Sequence, residues 1–310
     1  MISVVMATYN GEKYIVEQLD SIKNQTVKPD EVIICDDGSK DSTEEIVRKY
    51  ISDNGLDGWK FSVNEKNLGY ADNFQQVAKR ASGDFIFFSD QDDLWELDKI
   101  EQMLDIMNAH EDCKLLCTDY EPFASDENAP TPPQKILDQM PNNGVLENVG
   151  LSKKSVYIRA LGCCMCVRKT FFDEIESYWF DGWAQDDRMW KMAQCAHGNY
   201  LLHKNLVKHR LHGNNTATYG KYHTVDKRLK LFKEMLAANK EMLRYLNDVG
   251  ASSHDKKVVR NHVGMMQGRV NALSSKNMFK LIPMIKFLPY YEKLKSYLVD
   301  YVIIMNDKKA

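Results

Sequence analysis

The sequence contains no apolar run near the roughly 18 residues that a membrane-crossing helix needs. It has no surplus of positive charge either: 41 lysines and arginines face 44 aspartates and glutamates, for a net charge of -3. Both absences speak against an integral membrane body and against general attraction to nucleic acid. No Gly-x-Gly-x-x-Gly turn follows the first apolar segment, where Asn10-Gly11-Glu12 stands instead; a nicotinamide dehydrogenase is therefore disfavoured. The Gly-rich, Arg/Lys-bearing loop that a sugar-nucleotide pyrophosphorylase would carry there is also missing. Cysteines 35, 113, 117, 163, 164, 166 and 195 make an odd set of seven, mostly in apolar segments, which suits reduced thiols in the cytosol rather than a disulfide framework. Met1-Ile2-Ser3-Val4-Val5-Met6 enters a strand pattern with no charged leader, so we expect no cleaved signal peptide and an active site facing the cytosol. Proline is scarce, 8 in all, and Pro122, Pro130, Pro132, Pro133 and Pro141 crowd residues 121–150, where we expect a long mobile surface loop.

The 310 residues, 44% hydrophobic and 27% charged, suit a soluble globular protein with one large domain and an extension. Strand and helix patterns alternate over the first 120 residues: strands at Ile2–Ala7, Glu31–Cys35, Trp59–Val63, Asp84–Ser89 and Lys114–Thr118, with amphipathic segments between them. This alternation predicts an α/β fold, a mostly parallel sheet flanked by helices. Further on, Leu161–Val167 reads as a strand, 188–195 as a helix and Tyr200–Leu206 as a strand. From Val225 the pattern is helical, with roughly three helices separated near Gly250-Ala251-Ser252 and Ser274–Asn277.

Ligands of such sheets bind beyond the carboxyl ends of the strands. Thr8-Tyr9-Asn10, Asp36-Asp37-Gly38 and Asp90-Gln91-Asp92-Asp93 all fall there. The last group directly follows the apolar run Phe85-Ile86-Phe87-Phe88. Three carboxylates so close repel one another and raise one another's pKa unless a cation neutralises them. Their oxygens suit Mg²⁺ or Mn²⁺ held together with substrate phosphates. A solvated acidic turn ahead of a helix near Leu97 is the other reading.

In order and spacing, Val5–Gly11, Val32–Thr43, Asn67–Asn73 and Ser89–Trp95 resemble the inverting glycosyltransferases of family 2, which have a GT-A fold. Within that family the chain looks like bacterial rhamnosyltransferase-type members of polysaccharide assembly. The resemblance covers residues 1–220, with 1–120 as the nucleotide-sugar half and 121–220 as the acceptor half; residues 221–310 form a C-terminal helical extension. It implies a metal-dependent transferase that moves a sugar from dTDP-rhamnose or a UDP-hexose to a saccharide or lipid-linked acceptor.

The resemblance also implies roles for particular residues. Thr8, Tyr9 and Asn10 would face the nucleobase, and Asp36 or Asp37 would accept its imide N–H. Asn67, Gly69 and Asn73 would line the same pocket. Asp90 would contact the ribose, and Asp92, with Asp93 as an alternative, would hold the metal. In Gly182–Trp190, Asp186 would take the acceptor proton, with Asp187 in reserve. Arg210 and His212, in Arg210-Leu211-His212-Gly213-Asn214-Asn215, would lie near the diphosphate, and His212 could also bind the metal. Lys208, His209 and Trp95 are read as incidental or as packing.

Cys163-Cys164-Met165-Cys166 suggests zinc, but strand alternation would turn neighbours to opposite faces, so we expect no metal there. Phe279–Leu288 mixes apolar and basic residues; such a segment can lie on a membrane's inner face, pack on the catalytic domain or join a homodimer. A non-catalytic sugar-nucleotide or polysaccharide-binding module is the rival reading for the whole chain.

Overall fold

The computed structural model describes residues 1–213 and 224–307, and the chain divides into two units. The first comprises Met1–Val149 and the described part of Arg159–Ala217; the second comprises Gly150–Ile158 and the described part of Thr218–Ala310. The expected boundary at 220/221 falls outside the described residues.

The first unit runs β1 (Ile2–Thr8), α1 (Ile15–Lys23), β2 (Glu31–Asp36), α2 (Thr43–Asp53), β3 (Trp59–Val63), α3 (Tyr70–Lys79), β4 (Phe85–Ser89), β5 (Leu94–Trp95) and α4 (Lys99–Ala109). It continues with β6 (Leu115–Ala124), α5 (Gln134–Leu137), β7 (Leu146–Asn148), β8 (Met165–Arg168), α6 (Lys169–Glu174), α7 (Gln185–Cys195) and β9 (Asn199–Leu211). These strands form a nine-stranded sheet in the order β3-β2-β1-β4-β8-β6-β9-β5, with β7 also on β9. The α/β class read from the sequence is the one observed. Strands β3, β2, β1 and β4 pair in parallel, as do β6 and β9, while β8 joins the two sets antiparallel to both neighbours.

The central strands are apolar because both faces are covered. Every residue of β2 is buried, and so are Val4, Val5 and Met6 of β1 and Ile86, Phe87 and Phe88 of β4. Helix α1 contributes Ile15, Leu19 and Ile22, one face at helical spacing. In the parallel register Thr8 stands beside Asp36 and Met6 beside Ser89. The polar residues that follow β1, β2 and β4 therefore emerge along a single edge.

Two expectations need correction. The stretch 121–150 is not one continuous loop: β6 runs on to Ala124 by pairing with β9 after register shifts at Asp119 and Glu121, and α5 and β7 interrupt the remainder. Leu161–Val167 is not a single strand, because Gly162–Cys164 forms a 3₁₀ turn before β8. The cysteine neighbours therefore do not alternate as strand residues would.

In the second unit, α8 (Val225–Asp248) and α9 (Ser253–Ser274) are followed by a 3₁₀ segment, Met278–Tyr290, and α10 (Leu294–Asp307). Gly250 takes φ +67° after α8, a conformation that favours glycine. Ser252 Oγ then accepts from Asp255 N at 3.1 Å to cap α9. Pro283 and Pro289 lack the N–H that a regular helix over 278–290 would use. Asp300, fully buried, accepts from Arg228 Nε and Arg269 Nε, both at 2.7 Å. The Arg269 guanidinium also lies over Phe232 and Tyr291. No helix of the described residues is long and apolar enough to cross a membrane.

Replacing Asp300 with Ala would leave two arginines in an apolar interior without their counter-charge. We expect a loss of about 3–5 kcal/mol, read as a lower urea midpoint in chemical denaturation.

Candidate active site

At the ends of β1 and β2, Asp36 and Asp37 are both buried but do different work. Asp36 Oδ1 accepts from the backbone N–H groups of Gly38 and Ser39 at 3.0 and 2.7 Å. Its Oδ2 accepts from Thr8 Oγ1 and Ser39 Oγ at 2.8 and 2.6 Å. All four acceptor directions are thus spent on shaping the loop. Asp37 holds the neighbouring segment: Oδ1 accepts from Asn64 Nδ2 and Leu68 N, and Oδ2 from Gly69 N at 2.8 Å. Among the described residues, Oδ2 of Asp37 has one acceptor direction left.

Gly69 reaches Asp37 with φ +82°, a conformation that favours glycine. Asn67 Nδ2 donates to Asp37 O at 3.0 Å, and Asn73 Nδ2 donates to Cys35 O at 2.9 Å. Both amides stitch the loop to β2. Asn10 Oδ1 accepts from Lys40 N at 2.8 Å. Tyr9, by contrast, is 47% exposed. Its backbone is fixed from both sides by Gln91, whose Oε1 accepts from Tyr9 N and whose Nε2 donates to Tyr9 O. A Cβ on Gly11 would collide with that same amide.

The turn after β4 holds the carboxylates at two depths. Asp93 is completely buried; its Oδ1 accepts from His209 Nδ1 at 2.8 Å and from Arg210 N at 3.0 Å. Burial alone would raise the Asp93 pKa, but the charge and hydrogen bond of His209 outweigh it and hold Asp93 low. Burial pulls His209 down, Asp93 pulls it up, and the net is a rise to about 9. The pair is therefore ionic at neutral pH. The Cys163 thiol lies beside them, and ligand atoms of Asp93, Cys163 and His209 lie within 4.8 Å of one another. Both hydrogen bonds to Asp93 fall on Oδ1; its buried Oδ2 has no hydrogen-bond partner among the described residues.

Asp92 sits higher and is half-buried. Its Oδ2 lies 2.9 Å from His212 Nε2, and its backbone oxygen accepts from Arg210 Nε at 2.7 Å. The Arg210 guanidinium also meets Glu17 Oε2 at 2.7 Å and is flanked by the Tyr14 and Phe123 rings. Asp90 is pushed well above the ordinary carboxylate range by burial, then by the charges of Asp93 and Asp92, with a contribution from Asp186.

These donors fit a hard divalent cation. A carboxylate oxygen and an imidazole nitrogen at 2.9 Å have the separation of neighbouring ligands on one octahedral ion, about 3 Å. Burial, then the like charges of Asp93 and Asp92, hold Asp90 toward its neutral form, and a cation at this turn would relieve that repulsion.

Helix α7 begins at Gln185, so Asp186 and Asp187 lie in its first turn. Asp187 is occupied: it accepts from Trp183 Nε1 at 2.8 Å and pairs with Lys191. Asp186 Oδ1 accepts only from Asp187 N, at 2.7 Å, and no hydrogen bond reaches its other oxygen among the described residues. Burial, followed by the charge of Asp187, raises Asp186 to about 6. The charge of Asp186 adds to the rise of Asp90, so the two sites lie within electrostatic reach.

The fold thus gathers Thr8, Tyr9, Asn10, Asp36, Asp37, Asn67, Gly69, Asn73, Asp90, Asp92, Asp93, Asp186, Asp187, Arg210 and His212 at one side of the sheet. Asn214 and Asn215 lie outside the described residues. Reading the sequence missed His209, Gln91 and Glu17. His209 is 116 residues from its partner Asp93, and no local pattern links them. Gln91 offered a signal, an amide set among carboxylates.

The family profile described as "Glycosyl transferase family 2" matches residues 3–173. The chain is 36% identical over 107 residues to the UDP-Glc:alpha-D-GlcNAc-diphosphoundecaprenol beta-1,3-glucosyltransferase WfgD of Escherichia coli, covering 34% of this chain and 41% of that protein. It is 37% identical over 117 residues to the poly(ribitol-phosphate) beta-N-acetylglucosaminyltransferase TarS of Staphylococcus aureus, covering 37% of this chain and 20% of that one. The chain therefore spans less than half the length of either relative. Among solved structures, S. aureus TarS 1-349 in complex with UDP-GlcNAc superposes with a TM-score of 0.67 at 20% identity, over 99% of this chain and 89% of that one. The mannosyltransferase PcManGT from Pyrobaculum calidifontis, in complex with GDP-Man and Mn2+, gives 0.58 at 15% identity, over 99% and 87%. These likenesses establish the GT-A fold.

His209→Leu would strand a buried Asp93 charge. We expect about 3–5 kcal/mol of destabilisation, with a much smaller loss when Asp93→Asn is added. Urea unfolding of the two single variants and the double variant measures that non-additivity.

Proposed function

The chain belongs to glycosyl transferase family 2, and on that premise we propose that it transfers a hexose, with inversion, from a pyrimidine nucleoside diphosphate to a saccharide or lipid-linked saccharide of a cell-surface polymer. The single observation that carries this reading is that two unlike carboxylate groups lie within electrostatic reach of each other. One is the Asp90/Asp92 pair beside His212, and the other is Asp186 on α7 with an oxygen left over.

The exposed Tyr9 ring stacks on the base, and the remaining acceptor direction of Asp37 Oδ2 takes the imide N–H. Asp36, with no acceptor direction to spare, shapes the loop. Asp90 faces the ribose, and Arg210 supports the turn that presents Asp92. Asp93 and His209 act as positioning residues beneath that turn, with the unpartnered Oδ2 of Asp93 as the alternative metal ligand. Mn²⁺ or Mg²⁺, held by Asp92 and His212, would supply Lewis-acid neutralisation of the diphosphate.

Asp186 accepts the proton of the acceptor hydroxyl. That oxygen attacks the anomeric carbon from the face opposite the diphosphate, the carbon–oxygen bond to phosphate breaks, and nucleoside diphosphate departs. A carboxylate raised to about 6 is ionised at neutral pH yet more basic than an ordinary aspartate. Asp187 cannot easily share the role while Trp183 and Lys191 hold it. Relatives named for UDP-glucose and N-acetylglucosaminyl transfer favour a UDP-α-hexose donor giving a β-hexoside. The rhamnosyl reading, an α-rhamnoside from dTDP-β-L-rhamnose, stands second.

Asp186→Asn is expected to lower kcat by about 10²–10⁴-fold while donor affinity, measured by calorimetry, stays within twofold or so. The wild-type enzyme needs Asp186 ionised, so kcat/KM should fall about tenfold per unit as pH drops below about 6. A flat pH profile from 5 to 7 would remove the assigned base.

A further inference from the structure

The 3₁₀ segment Met278–Tyr290 has a surface that its own packing does not account for. Such a helix has three residues per turn, so side chains three apart lie over one another and the segment has three edges. Leu281, Met284 and Tyr290 form the buried edge. Phe279, Ile282 and Ile285 form a second edge, and they are 72%, 52% and 54% exposed. Lys280 and Lys286, both exposed, form the third with Pro283 between them. No acidic residue occurs anywhere in 278–290. Neither lysine has a carboxylate partner among the described residues; Lys286 Nζ rests 4.9 Å from the Phe287 ring centroid. Helix α10 repeats the arrangement at α-helical spacing, with Leu294, Leu298 and Val302 exposed and Lys295 exposed beside them.

An apolar edge alongside a purely basic edge complements an anionic lipid interface. The apolar side chains enter the acyl boundary while the ammonium groups meet lipid phosphates. A second copy of the chain fits less well, because a two-fold contact brings the same lysines together with no carboxylate between them. The segment has 13 residues, too few to span a bilayer. We propose that residues 278–290 dock the protein on an anionic membrane surface, with Phe279, Ile282 and Ile285 inserted and Lys280 and Lys286 on the headgroups.

The test uses the full chain and needs neither donor nor acceptor, so its outcome is separate from the transferase reading. Vesicles of mixed phosphatidylglycerol and phosphatidylcholine, and of phosphatidylcholine alone, are sedimented with the protein. The wild type should pellet with the anionic vesicles only and be released by 0.5 M salt, a concentration at which the screening length is only several ångströms. The triple variant Phe279→Ser/Ile282→Ser/Ile285→Ser should lower the partition coefficient at least about tenfold. Lys280→Glu/Lys286→Glu should lower it by roughly fivefold or more per lysine; it touches no buried group, so its circular dichroism and urea midpoint should match the wild type. Absence of binding to anionic vesicles would overturn the proposal, as would equal binding by both variants. A wild-type dimer that the triple variant converts to monomers, with no vesicle binding, would overturn it in favour of self-association.

Discussion

A single buried carboxylate holds the site together. Asp93 Oδ1 receives the His209 imidazole and the Arg210 amide at once, joining the turn after β4 to the end of β9. The short strand β5 pairs with β9 in the same region, Leu94 beside Lys208 and Trp95 beside Val207. From that anchored strand, Arg210 reaches the backbone of Asp92 and His212 reaches its carboxylate. Without the anchor, two segments far apart in sequence would have no reason to present a carboxylate and an imidazole to the same point. An ion pair this deep is weak evidence of net stability, since desolvation offsets its attraction. Its value lies in the geometry it fixes.

The acidic turn is therefore not a uniform patch of charge. Its lowest member is neutralised from within the protein, its highest lies beside a histidine, and Asp90 is driven toward its protonated form by burial and then by the charges of the other two. A divalent cation brought in with a diphosphate would reverse that pressure. Across from the turn, α7 offers a carboxylate whose ordinary acidity is blunted by burial and by Asp187. Two acidic groups thus acquire different proton affinities from their surroundings, as separate roles in metal binding and proton transfer require.

Much of this was legible in the sequence, and the limits have physical causes. Buried parallel strands write themselves as apolar runs, so β1, β2 and β4 and the polar residues at their ends could be read directly. Helices α8 and α9 announced themselves by period and by the glycine and serine between them. Contacts between distant segments left no such trace. His209 looks like a stray histidine in a strand until Asp93 is placed beneath it. Asp36 and Asp37 are chemically alike, and only the number of donors already on each separates them. The turn at Cys163 was misread because the pattern of a strand end resembles that of a strand, and Lys99 Nζ, which donates to Cys163 O at 2.6 Å, lies 64 residues away. Proline in 121–150 suggested a loop, yet pairing with β9 extended β6 through Pro122 regardless.

The account stands on positive charge arriving at Asp92 together with the donor's phosphates. Calorimetric titration of UDP into the protein, with and without Mn²⁺, measures that linkage most directly. The account predicts that Mn²⁺ tightens UDP binding by about 5–150-fold, and that Asp92→Ala abolishes the difference. Equal UDP affinity in the presence and absence of the metal would contradict it.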